Sequence, residues 1–145
     1  MNWFKETLTI TTHGKGLYLF TPSVNGLIRQ WGIFEGMCTL FIQHTSASIV
    51  ISESYDPTAK QDIETFMDKH IPENQSWMKH TLEGGDDSSS HIRSILTPCS
   101  LTVPIDDAKL SLGMWQGIFI FEHRSGIHQR KILIRCLSVE SAAKY

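Results

Sequence analysis

The stretch SLTVPIDDAKLSLGMWQGIFIFEHR, residues 100–124, carries three strand-like runs in direct succession. Residues 100–105, 109–112 and 116–122 are rich in β-branched, aromatic and other apolar side chains, a composition that suits a pleated, half-buried surface. Asp106, Asp107 and Ala108 separate the first two runs and read as a hairpin turn. One further apolar run, Lys131 to Val139, reads as a last strand. Strands in direct sequence point to a largely antiparallel sheet.

The segments before this stretch add to the same sheet. Residues 4–10 and 16–20 read as two strands joined by a turn at His13-Gly14-Lys15-Gly16. Thr21-Pro22 reads as a cap followed by proline at the first helical position, opening a short helix to about Trp31. Met37 to Gln43 and Ala47 to Ile51 read as strands. Asp56-Pro57 opens the clearest helix, with Ile63, Phe66 and Met67 at helical spacing and Pro72 as its stop. Glu73 to Ser90 is polar and rich in Gly, Asp and Ser, and a loop of that length in a compact domain usually carries function or is disordered. Ser90 then reads as the cap of a short helix with Ile92, Ile95 and Leu96 on one face. The expected fold is α+β: one mainly antiparallel sheet with a few helices, a single domain over residues 1–145.

Composition narrows the function classes. The 145 residues are 41% hydrophobic and 19% charged, ordinary globular values. With 13 basic and 15 acidic residues the net charge is -2, and the basic side chains are scattered apart from Arg130-Lys131. That is no footprint for nucleic acid, which needs a clustered basic face. The first residues, Met1 to Glu6, have neither the apolar region nor the cleavage site of a signal peptide. No run approaches the ~18 apolar residues of a membrane span, so no membrane partner is expected. Cys38, Cys99 and Cys136 form no CxxC pair, and two lie in strand-like apolar runs as small hydrophobes. The expectation is a reducing, cytoplasmic setting.

Four segments look unlike core or ordinary loop. They are Gln43-His44-Thr45-Ser46-Ala47 at a strand end, His80 to Asp87 in the polar loop, Ser88-Ser89-Ser90-His91 at a helix start, and Gly113-Met114-Trp115-Gln116-Gly117 leading to Glu122-His123-Arg124. Histidine and carboxylate suit metal binding and proton transfer near neutral pH. Each segment has a bland alternative. His44 could be satisfied by backbone, Asp86-Asp87 could be a solvated turn, and Glu122-His123-Arg124 could be a charged rim. Trp115 reads as a core or interface anchor, and Gly113 as a residue permitting a bulge or close backbone approach. Histidine spacing matches neither HExxH nor any compact zinc pattern. His13, His70 and His128 are read as surface residues.

Taken together, Trp3-Phe4 and the strand after it, HTSAS at 44–48, DPTAKQD at 56–62, EGGDD at 83–87, HIRS at 91–94 and LGMWQGIFIFEHR at 112–124 resemble the YjbQ family over nearly the whole chain. Members of that family are often named secondary thiamine-phosphate synthase enzymes. The resemblance implies a large bent, mainly antiparallel sheet, a homotrimer, and a polar site near a subunit boundary. It implies His44, His80, His91 and His123 as metal ligands for a divalent ion, zinc or magnesium. Glu122, Asp86, Asp87 and Arg124 are the catalytic candidates, and Thr45, Ser46 and Gln116 the substrate contacts. The chain departs from the family pattern at Ser52 and Ser54, where asparagine is common, and at Ser88-Ser89, where Met-Pro is common.

The activity implied by the resemblance joins a pyrimidine pyrophosphate to a thiazole phosphate, with a small phosphorylated metabolite as partner. Departure of pyrophosphate needs a metal or cationic groups to receive its charge, and Arg124 with a histidine could meet phosphate oxygens. The chain has no Gly-rich phosphate cradle. The competing expectation is a homotrimer that binds a metal or metabolite without turnover.

Overall fold

A computed structural model of the chain describes residues 1–139. The expected domain span extends to residues 140–145, which lie outside the described residues. The elements, in chain order, are β1 (Asn2–His13), β2 (Gly16–Leu19), α1 (Thr21–Gln30), β3 (Glu35–Ile42), β4 (Ala47–Glu53), α2 (Pro57–His70), α3 (Asp87–Leu96), β5 (Ser100–Asp106), β6 (Lys109–Leu110), β7 (Gln116–Glu122) and β8 (Ile127–Val139). All the described strand pairs are antiparallel, and they fall into a five-stranded group, β1-β8-β3-β5-β6, and a three-stranded group, β2-β7-β4. No described helix is long and apolar enough to cross a membrane.

The connection between α3 and β5 staples the two groups. The Pro98 carbonyl accepts from Ile49 N–H of β4 and the Cys99 carbonyl from Ile42 N–H of β3, both at 3.0 Å. Side-chain alternation then builds layers. Ile49, Ile118 and Ile120 of the smaller group share one core with Cys38, Leu40, Ile42, Ile105, Ile132 and Ile134 of the larger. The other face of β7 carries Phe119 and Phe121, which pack with Leu17 and with Met67 of α2. Strand β7 is therefore buried on both faces, which explains its unbroken apolar run.

Asp56 caps α2 as expected, its carboxylate accepting from Thr58 N–H at 2.9 Å. The hairpin at Asp106-Asp107-Ala108 also forms, with Asp107 and Ala108 at φ 51° and 60°. Cys38 and Cys136 are buried free thiols facing each other across β3 and β8.

The turn at His13-Gly14-Lys15-Gly16 joins β1 and β2 as expected, and it carries the chain from β8's neighbour to β7's neighbour without pairing the two strands to each other. Several local expectations change. Thr21 does not cap α1. Its hydroxyl instead accepts from Ile118 N–H at 2.9 Å, tying the helix start to β7. On α2, Met67 is buried but Phe66 faces solvent. Helix α3 begins at Asp87, not after Ser90, and its apolar Ile95 and Leu96 are exposed. Its buried face is polar: Asp87, Ser89, Ser90 and Arg93. Burial is tolerable because Ser89 and Ser90 donate back to the Asp86 and Asp87 carbonyls at 3.1 and 2.6 Å.

Candidate functional site

Starting α3 at Asp87 places Asp87 and His91 one turn apart on the same helix face. The polar loop before the helix returns His80 to the same place. His80 Nε2 lies 2.7 Å from Asp87 Oδ2, and His91 Nε2 lies 3.2 Å from that same oxygen. All three donor atoms fall within 4.8 Å of one another. Asp87 is almost wholly buried, while His80 is half-exposed. Burial alone would push the Asp87 carboxyl up, but the His80 hydrogen bond and the charges of His91 and Arg124 hold it below the ordinary carboxylate range.

The state of His91 follows from its other nitrogen. Nδ1 lies 2.8 Å from the Thr45 carbonyl oxygen, which can only accept, so Nδ1 carries a proton. A neutral His91 therefore presents a bare Nε2 to a carboxylate oxygen. Two lone pairs facing each other at that distance call for a positive centre shared with them, either a proton or a metal ion.

The remaining sequence candidates have other partners. Asp86 is a latch: its carboxylate accepts from Ser125 N–H at 2.9 Å and from the Ser125 hydroxyl at 3.1 Å, and it pairs with Arg124 at 3.3 Å. Partial burial pushes this carboxyl up, yet Arg124 and Ser125 together bring it down to about 2. Arg124 also donates to the Glu83 carbonyl at 2.7 Å and lies 3.4 Å from Asp87 Oδ1. Its guanidinium is thus divided among three acceptors.

Glu122 and His123 lie in the interior. Glu122 continues the inward row of Ile118 and Ile120 into the space between the two strand groups, where Arg130 of β8 meets it. It accepts from Arg130 Nε at 2.7 Å and from the Thr12 hydroxyl at 2.6 Å, and also from the backbone N–H groups of His123 and Arg124. Burial favours the neutral acid, but those donors hold the carboxyl below its ordinary value. A carboxylate so saturated has no lone pair left for a general base.

His123, on the opposite face of β7, closes a chain of hydroxyls. Thr97 donates its proton to the Arg93 carbonyl at 2.7 Å. Ser48 Oγ, 2.5 Å from Thr97 Oγ1, must then donate to Thr97, which leaves His123 Nε2 as the donor to Ser48 at 2.5 Å. His123 Nε2 consequently carries a proton, and its buried Nδ1 has no partner among the described residues, which disfavours a second proton there. Burial, with Arg93 next, brings its pKa down to about 3. Arg93 itself closes the end of α2, donating to the Ile71 carbonyl at 2.8 Å and the Met67 carbonyl at 3.3 Å.

The four expected histidine ligands thus do not meet at one point. His80 and His91 converge on Asp87, His123 is bound to Ser48, and His44 Nε2 accepts from Lys131 N–H at 2.8 Å. Burial and the Arg130 charge lower the His44 pKa. Among the expected substrate contacts, Thr45 supplies the carbonyl that orients His91. The Ser46 carbonyl accepts from Arg130 at 3.3 Å. Gln116 accepts from Gly113 N–H at 2.7 Å, closing its own turn. Trp115 is 53% exposed, edge-on against Tyr55 at 5.0 Å, so of the core and interface roles expected for it the core one does not hold. Arg130, noted in the sequence only as half of a basic pair, was not read as the partner of Glu122, although it alternates with Ile132, Ile134 and Cys136 on the inward face of β8.

The family described as UPF0047 protein YjbQ-like matches residues 6–139. A UPF0047 protein of Synechocystis sp. is 41% identical over 130 residues, covering 90% of this chain and 88% of the relative. The UPF0047 protein YjbQ of Escherichia coli O157:H7 is 36% identical over 132 residues, covering 90% and 95%. Among solved structures, a conserved hypothetical protein of Thermus thermophilus superposes with TM-score 0.82 at 28% identity, over 91% of this chain and 99% of that one.

Proposed function

This chain belongs to the YjbQ-like UPF0047 family, and from that premise we propose that it holds a divalent transition-metal ion between His80 Nε2, Asp87 Oδ2 and His91 Nε2. The observation that carries this reading is the orientation of His91. A backbone carbonyl fixes the proton on Nδ1 and aims the bare Nε2 at the carboxylate, which is the outer-shell arrangement that prepares an imidazole for a metal. Two imidazoles and one carboxylate suit zinc or a neighbouring first-row ion better than magnesium, which prefers oxygen donors and keeps its waters. Three protein donors leave positions for water or substrate, an open site rather than a closed structural one. Such an ion would act as a Lewis acid or lower the pKa of bound water.

Joining a pyrimidine pyrophosphate to a thiazole phosphate would place the leaving group on this ion. Arg124, the guanidinium beside the cluster, is already divided among Asp86, Asp87 and the Glu83 carbonyl, so a phosphate would have to displace them. The geometry therefore supports the metal centre more directly than that transfer. The homotrimer belongs to the same proposal, and sedimentation of the purified protein tests it.

Elemental analysis tests the ion. The expected result is about one equivalent of zinc or a similar ion per chain, lost in Asp87→Asn and His91→Ala and retained in His44→Ala. Equal metal content in all four proteins, or none in the unaltered one, overturns the reading.

A further inference from the structure

His91 faces two ways. Its Nε2 belongs to the cluster with Asp87, while its ring also walls an open cavity of about 520 Å³ between α3 and the turn joining β3 to β4. The volume falls in the range of small-molecule sites, roughly 300–1,000 Å³. The other walls include His44, Thr45, Ser94, Ile95 and Cys99, and the surface they present is mainly apolar. Among the described residues, no Lys, Arg, Asp or Glu lines it.

One polar atom in this wall is unexplained. Along α3, Ser89, Ser90 and, just past its end, Thr97 each return the hydroxyl to a carbonyl of the preceding turn. Ser94 does not: its Oγ is buried and has no partner among the described residues. A buried hydroxyl left unpaired costs about 1–3 kcal/mol, and because the Oγ itself has almost no accessible surface, the Ser94 side chain must turn to another rotamer to offer it to an acceptor in the cavity. His44 is the second polar point. Because its Nε2 accepts from Lys131 N–H, the neutral ring keeps its proton on Nδ1.

We propose that this cavity is the substrate subsite of the metal centre and takes an uncharged, mainly apolar organic group with a hydrogen-bond acceptor set against Ser94. With no Lys or Arg in the wall a phosphate would find no fixed counter-charge there, and the shared His91 sets the cavity beside the ion's site. This inference rests on the metal reading, but the cavity can be probed without it.

The experiment compares two hydroxamates, which share one metal-chelating group and differ in their body. Calorimetry on the cobalt-loaded protein should give benzohydroxamate an affinity about tenfold or more above acetohydroxamate, from burial of the phenyl ring. Ile95→Asp, at an 83% exposed position where folding is not at risk, should erase that preference and leave acetohydroxamate binding intact. Equal affinities in the unaltered protein overturn the subsite while leaving the metal. If no cobalt binds, the metal reading fails separately, and titration with benzamide then decides the cavity. Amide shifts at Ser94 and Ile95 that vanish in Ile95→Asp support the subsite; no shifts overturn it. A lower sedimenting mass in Ile95→Asp, with no probe binding to the unaltered protein, assigns the face to a second copy of the chain and also overturns the proposal.

Discussion

The molecule carries two histidine–carboxylate groupings that look alike in sequence and differ in almost every physical respect. Glu122 and His123 lie inside the fold, where every acceptor of Glu122 is occupied and His123 passes its proton into a run of hydroxyls. His80, Asp87 and His91 lie at the rim, where two imidazole nitrogens press on one carboxylate oxygen and one of them has no proton to give if neutral. The first grouping leaves the buried His123 Nδ1 without a partner among the described residues, but it forces no two bare lone pairs together. The second is complete only with a positive centre in it. Residue type does not separate structure from function here; whether bare lone pairs are held against one another does.

The largest effect that would sharpen this contrast is at Glu122. Glu122→Gln leaves Arg130 charged and buried with only the Ser46 carbonyl as its other acceptor, and losing one partner of a buried pair costs about 3–5 kcal/mol. Urea unfolding should show that loss while metal content per folded chain stays unchanged. A variant of full stability that lost its metal would reverse the assignments of the two groupings.

His123 should give the next largest effect, seen through pH. Its folded pKa is about 3 against an ordinary 6.5, so below pH 6.5 the unfolded chain takes up a proton that the native ring refuses. Stability should therefore fall from pH 6.5 toward 3, each unit of separation being worth about 1.4 kcal/mol. His123→Gln, which keeps a donor for Ser48, should flatten that part of the profile. Nitrogen-15 shifts showing His123 protonated at pH 5 would break the account.

These differences explain what could be read beforehand. The strands, the Asp56 cap and the Asp106-Asp107-Ala108 turn were legible because each rests on local pattern and turn chemistry. The β1–β2 turn was legible as a turn, but a glycine-rich corner bends the chain without stating which strand each side will pair with. The start of α3 was hidden for a different reason. Serines at Ser89 and Ser90 resemble a polar loop, and only their back-bonding to the preceding turn allows them to form a buried helix face. With that start misplaced by a turn, the i, i+4 pair of Asp87 and His91 was invisible as a pair. Which histidines converge could not be read from spacing, since His80 reaches the cluster through the loop and His123 leaves it by the alternation of β7.

Asp86 provides an internal control, one residue from Asp87 yet belonging to the saturated kind. Asp86→Asn should remove about 1 kcal/mol by weakening the latch to Ser125 and Arg124. The sign of its pH dependence is opposite in origin to that of His123. The folded carboxyl sits at about 2 against an ordinary 3.8, so its contribution is full above 3.8 and is lost as pH falls toward 2. The variant should lack that acid step and still bind metal, whereas Asp87→Asn should not.

The smallest expected change in stability is also the most discriminating. His80 is half-exposed, and among the described residues its one hydrogen bond is to Asp87. In metal-free protein, His80→Ala should therefore shift unfolding by no more than about 0.5 kcal/mol, the scale of a surface substitution. In metal-loaded protein the same substitution should lower affinity sharply, because one of three donors is gone. The two measurements together isolate the ion from the fold. A large loss in metal-free protein would mean that His80 holds the loop before α3 in place, and the rim grouping would then be as structural as the buried one.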